Sequence, residues 1–147
     1  MMGVATRSVD IDVPLESFFA VVRDYASYPK FVPELRKVAV GPLAGQAVEV
    51  TYWLDVTLKV FEFTLRHEAH IGGQRIDWKL VRGGEFMRHN VGYWQLERTP
   101  QGTRAVYNID IDFGPLVPKS FEKQLVARGL PNMLANFKAR AEALQRR

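Results

Sequence analysis

Between Leu35 and Phe113, apolar and polar residues alternate through six successive runs. A period of two sends neighbouring side chains to opposite faces of an extended chain, so this pattern demands strands. The runs are Leu35–Val40, Ala47–Asp55, Lys59–His70, Gln74–Arg82, Glu85–Arg98 and Thr103–Phe113. Gly41-Pro42-Leu43-Ala44-Gly45, Gly72-Gly73, Gly83-Gly84 and Thr99-Pro100-Gln101-Gly102 separate them, and the remaining break falls near Val56–Leu58. Gly-Gly pairs accept positive φ at no steric cost and favour two-residue hairpin loops. A seventh run lies upstream, from Val4 to Val13, with Val9, Ile11 and Val13 on one side and Ser8, Asp10 and Asp12 on the other. The chain therefore predicts a seven-stranded antiparallel sheet.

Helical spacing interrupts the strands twice. After Pro14, which suits the first position of a helix, Leu15, Phe18, Phe19 and Val22 form the apolar stripe of a short helix. Asp24 to Pro33, aromatic and closed by prolines, predicts a helical turn that exits into extended chain. Past Gly114-Pro115, Phe121 and Leu125 are four apart, and Leu130, Leu134, Phe137, Ala141 and Leu144 continue the stripe. Gly129-Leu130-Pro131 predicts a bend near Gly129 in one long C-terminal helix. The fold class is α+β: a curved sheet around a long C-terminal helix, with two short helices between the first and second strands. A length of 147 residues suits one domain over 1–147.

Several chemistries are excluded. The chain has no cysteine, which removes disulfides, thiolate catalysis and Cys-based metal sites. His67 and His70 are three apart on one strand and so point to opposite faces, and no metal site forms from the histidines. No phosphate-loop, dinucleotide or nucleophile-elbow motif is present. The longest apolar run, Phe18–Val22, is far short of the roughly 20 residues of a membrane span. With no apolar signal region at the start, a cytoplasmic location is expected. Seven Lys/Arg against two Asp/Glu concentrate the positive charge in residues 119–147. That basic segment reads as a solvated helix face, with Arg146 and Arg147 at the negative end of the dipole, or as contact with an anionic partner such as RNA or a membrane.

Strand parity assigns the interior. The inward sets are Val48, Val50, Tyr52 and Leu54; Phe61, Phe63, Leu65 and His67; Ile76, Trp78 and Leu80; and Ala105, Tyr107, Ile109, Ile111 and Phe113. Fixing Trp94 and Leu96 inward also turns Phe86, Arg88, Asn90 and Gly92 inward, with Met87, His89, Tyr93 and Gln95 outward. An inward Arg88 either snorkels to solvent at the sheet end or anchors a ligand. An inward His67 is a hydrogen-bonded core histidine or a base. Gly92 marks a bend in the sheet or leaves room for another backbone or a ligand.

The residues that open the chain resemble a known family. Val13-Pro14-Leu15-Glu16-Ser17-Phe18-Phe19, then Val22-Arg23-Asp24-Tyr25-Ala26-Ser27-Tyr28-Pro29-Lys30-Phe31-Val32-Pro33, are similar to the start of START-like (SRPBCC) domains. Phe63-Thr64-Leu65-Arg66, Gly92-Tyr93-Trp94-Gln95-Leu96, Ile111-Asp112-Phe113 and Phe137-Lys138-Ala139-Arg140-Ala141 resemble the polyketide cyclase/dehydrase and coenzyme Q-binding branch. Gly84-Glu85-Phe86-Met87-Arg88-His89-Asn90 departs from the Gly-Pro-Phe run of the quinone-binding members. The resemblance implies a helix-grip fold with a hydrophobic cavity between sheet and helix, taking a lipid, isoprenoid quinone or polyketide-like molecule. The expected ligand-binding set is Tyr52, Phe61, Phe63, His67, Trp78, Arg88, Asn90, Trp94, Tyr107, Ile109, Met133 and Phe137. No catalytic residue, metal or cofactor is assigned, and DNA is not an expected partner. Three functions stay open: a carrier of a hydrophobic small molecule, a polyketide cyclase or aromatase, and a ribosome-associated protein of the ribosome-association toxin type.

Overall fold

The computed structural model describes residues 3–146 apart from 57, 58, 71 and 73. Strands β1 (Gly3–Ile11), β2 (Leu35–Ala44), β3 (Ala47–Val56), β4 (Lys59–Ala69), β5 (Arg75–Arg82), β6 (Met87–Thr99) and β7 (Gly102–Phe113) form one sheet. Their order is β1-β7-β6-β5-β4-β3-β2, with every neighbouring pair antiparallel. The meander thus runs from β2 to β7, and β1 closes its far side against β7. Helix α1 (Leu15–Arg23) and a 3₁₀ turn (Tyr25–Lys30) carry the chain from one edge strand to the other. Pro14 sits just before α1, where its carbonyl accepts the amides of Ser17 and Phe18 at 3.0 and 3.1 Å.

The C-terminal segment is helical from Lys119 to Gln145 in three pieces. Helix α2 (Lys119–Gln124) passes through a π-helical turn (Leu125–Gly129) into α3 (Leu130–Gln145). The expected bend thus takes the form of one wide turn, a common way to absorb an irregularity without breaking a helix. Leu130, Leu134, Phe137 and Ala141 are buried against the sheet and α1, whereas Leu144, the last residue of the expected stripe, is 36% exposed. The long C-terminal helix is gripped by the curved sheet, as the resemblance implied.

Two breaks differ from the sequence reading. Gly41-Pro42 lies inside β2, at a register shift between Val40 and Leu43; the turn itself is Gly45-Gln46, with Gly45 at a φ of 65°. Proline is tolerated there because β2 is an edge strand with no further neighbour to serve. The loop after β5 spans Gly83 to Phe86, so β6 begins at Met87 and not at Glu85. The expected breaks near Val56–Leu58 and at Gly72-Gly73 involve Thr57, Leu58 and Gly73, which lie outside the described residues. So does Arg147, expected at the end of the helix.

A third difference decides a site residue. Between Met87 and His89 the β6–β7 register slips, with Met87 opposite Phe113 and His89 opposite Asp112. This bulge inserts one unpaired residue, Arg88, and breaks the alternation at the start of the strand. Arg88 is exposed, and Met87, expected outward, is 3% exposed. The inward anchor assigned to Arg88 is therefore incorrect. Downstream of the bulge the alternation holds, with Asn90, Gly92, Trp94 and Leu96 all buried.

Candidate functional site

A cavity of about 460 Å³ opens between the sheet and the C-terminal helix. That volume lies within the roughly 300–1,000 Å³ typical of small-molecule sites. The sheet supplies Tyr52, Phe63, Leu65, His67, Trp78, Asn90, Trp94, Tyr107 and Ile109, and the helix supplies Leu130, Met133 and Phe137. Ten of the twelve residues expected from the sequence thus border one space. Arg88 does not, for the reason above. Phe61 does not either: it stacks on Phe86 at 4.0 Å between ring centroids, beside the cavity wall.

Other wall residues were not singled out from the sequence. Tyr28, from the 3₁₀ turn, closes one side by packing edge-on against Phe137 at 5.1 Å, and its hydroxyl donates to the Val22 carbonyl at 2.5 Å. Met87 enters through the bulge. The mouth joins Glu34 and Asp55 to Gln124, Arg128 and Asn132, residues that are distant in sequence. Asp55 is paired there with Arg36 at 3.1 Å. Only the crowded aromatics around Pro29 hinted at Tyr28; no periodic signal marked the mouth.

The wall is aromatic and interlocked. Trp94 meets Phe18, Tyr107 and Phe137 edge-on at 5.6, 4.9 and 5.2 Å, and Trp78 lies 5.1 Å from Tyr107. Gly92 makes this packing possible. A Cβ there would meet the Trp78 ring at 2.4 Å and the Asn108 carbonyl at 2.2 Å, so the indole occupies the space that a side chain would need. The sequence left a bend, another backbone or a ligand open for Gly92; its space is taken by the Asn108 backbone carbonyl and by the Trp78 side chain, which was not foreseen.

Every charged side chain bordering the cavity, Glu34, Asp55 and Arg128, stands at its partly or fully exposed mouth. The buried wall has only neutral polar groups. Tyr52 and His67 share a hydrogen bond of 2.7 Å between the hydroxyl and Nε2, and Tyr25 covers the imidazole at 4.4 Å. Burial pushes His67 down to about 3, which leaves it neutral, and its Nδ1 has no partner among the described residues. Burial raises the Tyr52 and Tyr107 hydroxyls above their ordinary range, so both stay protonated. Trp78 Nε1 donates to Asn90 Oδ1 at 2.9 Å. The arrangement can hold an uncharged molecule and hydrogen-bond to it. Among the described residues no group of three metal-ligating side chains occurs, and no helix is long and apolar enough to cross a membrane.

Comparison with known proteins agrees with this architecture. The family profile described as "Polyketide cyclase / dehydrase and lipid transport" matches residues 2–145. No curated protein matches the sequence. Among solved structures, the Zhui aromatase/cyclase from Streptomyces sp. R1128 is similar with a TM-score of 0.81 at 19% identity, over 97% of this chain and 94% of that one. A START superfamily protein from Mycobacterium smegmatis gives 0.82 at 16% identity, over 96% and 98%. The STAR-related lipid transfer protein from Xanthomonas axonopodis gives 0.79 at 13% identity, over 96% and 93%. At these identities the structural likeness speaks for the fold alone. The profile match along nearly the whole sequence makes this chain a member of the polyketide cyclase/dehydrase and lipid transport family, built on a START-like fold.

Proposed function

We propose that this protein is a carrier that binds an uncharged, largely apolar small molecule in the cavity between sheet and helix. The observation that supports the reading is the cavity itself: about 460 Å³, walled by aromatic and aliphatic side chains, with its charges confined to the mouth. Such a wall favours apolar ligand surface by roughly 25 cal/mol per Å² removed from water, and it penalises a charge that has no partner. The family's description includes lipid transport, and one similar structure is named a lipid transfer protein, which favours a lipid-like or quinone-like ligand.

A second reading, a cyclase or aromatase, draws on the Tyr52–His67 pair at the cavity wall and on the likeness to an aromatase/cyclase. A general base works best with a pKa near the operating pH. His67, held near 3, is a weak base at neutral pH, which favours carrying over catalysis. The ribosome reading rested on the cations of the C-terminal helix. Lys138 is engaged by Glu142 and the Asp10 carbonyl, whereas Arg140 stands over the Phe31 ring and keeps its charge.

Tryptophan emission tests the proposal, since Trp78 and Trp94 both border the cavity. Titration with long-chain esters, isoprenoid quinones and polycyclic aromatics should give a saturable change for at least one class. No change with any of the three would overturn it.

A further inference from the structure

Among the described residues, Asn90 is the one buried amide side chain on the cavity wall, 4% exposed and bordering the space beside Met87 and Trp78. Its orientation is fixed by chemistry. An indole N–H can only donate, so the Asn90 atom 2.9 Å from Trp78 Nε1 is the amide oxygen. The amide nitrogen therefore faces the other way. Its one partner among the described residues is the Met87 sulfur at 3.6 Å, a weak acceptor, which leaves a second N–H with none. A buried donor without an acceptor is costly, and a ligand that supplies one recovers that cost. Trp78 itself is held across Gly92, where a side chain would exclude it, so the amide cannot readily turn over.

We propose that Asn90, locked by Trp78, is a specificity-determining donor, and that the cavity selects uncharged molecules carrying an acceptor oxygen, such as a ketone or ester carbonyl, at this wall. This rests on the reading of the cavity as a ligand site and deepens it. A site built to hydrogen-bond discriminates strongly against an analogue of the same shape that lacks the group, because the buried donor is then left unpaired. Tyr107, whose hydroxyl makes no hydrogen bond to any described residue, competes on the same wall, as does the unpartnered Nδ1 of His67 in the tautomer that accepts from Tyr52.

The experiment compares 2-acetylnaphthalene with 2-isopropenylnaphthalene, in which a methylene replaces the carbonyl oxygen, by equilibrium titration of tryptophan emission. The unmodified protein should bind the ketone at least ten-fold more tightly than the alkene. In Asn90→Leu the ratio should fall below about three-fold, chiefly through tighter alkene binding, and it should also fall in Trp78→Phe, where Trp94 still reports. If the unmodified protein binds both compounds equally, the donor assignment is overturned and the cavity reading stands. A ratio that survives Asn90→Leu but disappears in Tyr107→Phe moves the preference to Tyr107 and overturns the assignment to Asn90. If neither compound binds, and the esters and quinones above do not bind either, the cavity reading fails and this inference falls with it.

Discussion

Packed among Tyr25, Tyr52 and Trp78, the His67 imidazole stays neutral because burial disfavours its charged form. Its value falls from an ordinary 6.5 to about 3. Between those two values the unfolded chain takes up a proton that the folded chain refuses, so stability rises with pH across the interval. The contribution is complete above about pH 6.5 and is lost as the pH falls toward 3, a difference of about 4–5 kcal/mol over the full window. His67→Gln removes the titrating group, so its urea-denaturation stability should fall less steeply than that of the unmodified chain between pH 6.5 and 4. Equal slopes in the two proteins would show that His67 is protonated without cost in the folded state. The inward placement of His67 was readable because β4 alternates cleanly on either side of it. Its bond to Tyr52 was not, because it depends on β3 and β4 pairing so that Tyr52 faces Phe63, two inward steps from His67 with Leu65 between.

In helix α3, Phe137 is 2% exposed and meets Tyr28 and Phe31 of the turn region and Trp94 of the sheet edge-on at 5.1, 4.9 and 5.2 Å. Phe137→Ala should cost about 3–5 kcal/mol, since truncating a buried aromatic removes its contacts and enlarges an existing void. Thermal or denaturant unfolding checks this, and a loss below about 1 kcal/mol would mean that the neighbouring rings close over the gap. The phase of this helix was legible because the stripe from Leu130 to Ala141 keeps helical spacing without interruption. Strand β6 was legible only from Asn90 onward. Its alternation is an unbroken pattern on the page, but the bulge at Arg88 depends on how the loop from Gly83 to Phe86 delivers the chain to β7. One unpaired residue breaks the alternation at the start of the strand, so local periodicity misplaced Arg88 and Met87 together, while Phe86, in the loop before it, is buried as expected. The same limit applies to β2, where a proline that reads as a turn sits inside an edge strand because no further strand needs its amide.

Taken as a whole, the molecule keeps its sheet and helix apart where they could have packed together. Register shifts in β2, β4 and β6 bend the sheet, and the π-helical turn redirects the C-terminal segment above the cavity mouth. Glu34 just before β2, Asp55 near the end of β3 and Arg128 in the π-helical turn border one rim through tertiary placement alone, which explains why no motif announced them. An apolar space of this size forgoes contacts that a filled core would make, and proteins retain such costs where function needs the opening. Filling it should therefore separate stability from binding. Met133 projects from α3 into the cavity and is only half-buried, so a larger ring can enter there with little strain on the sheet. Met133→Trp should leave the unfolding midpoint unchanged or raise it, while weakening the tightest-binding probe at least ten-fold. Both quantities can be measured on one preparation, by thermal unfolding and by fluorescence titration. Unchanged affinity in a variant of normal stability would show that ligands occupy some other surface. Lost stability with lost binding would mean instead that the space around Met133 is part of the packed core.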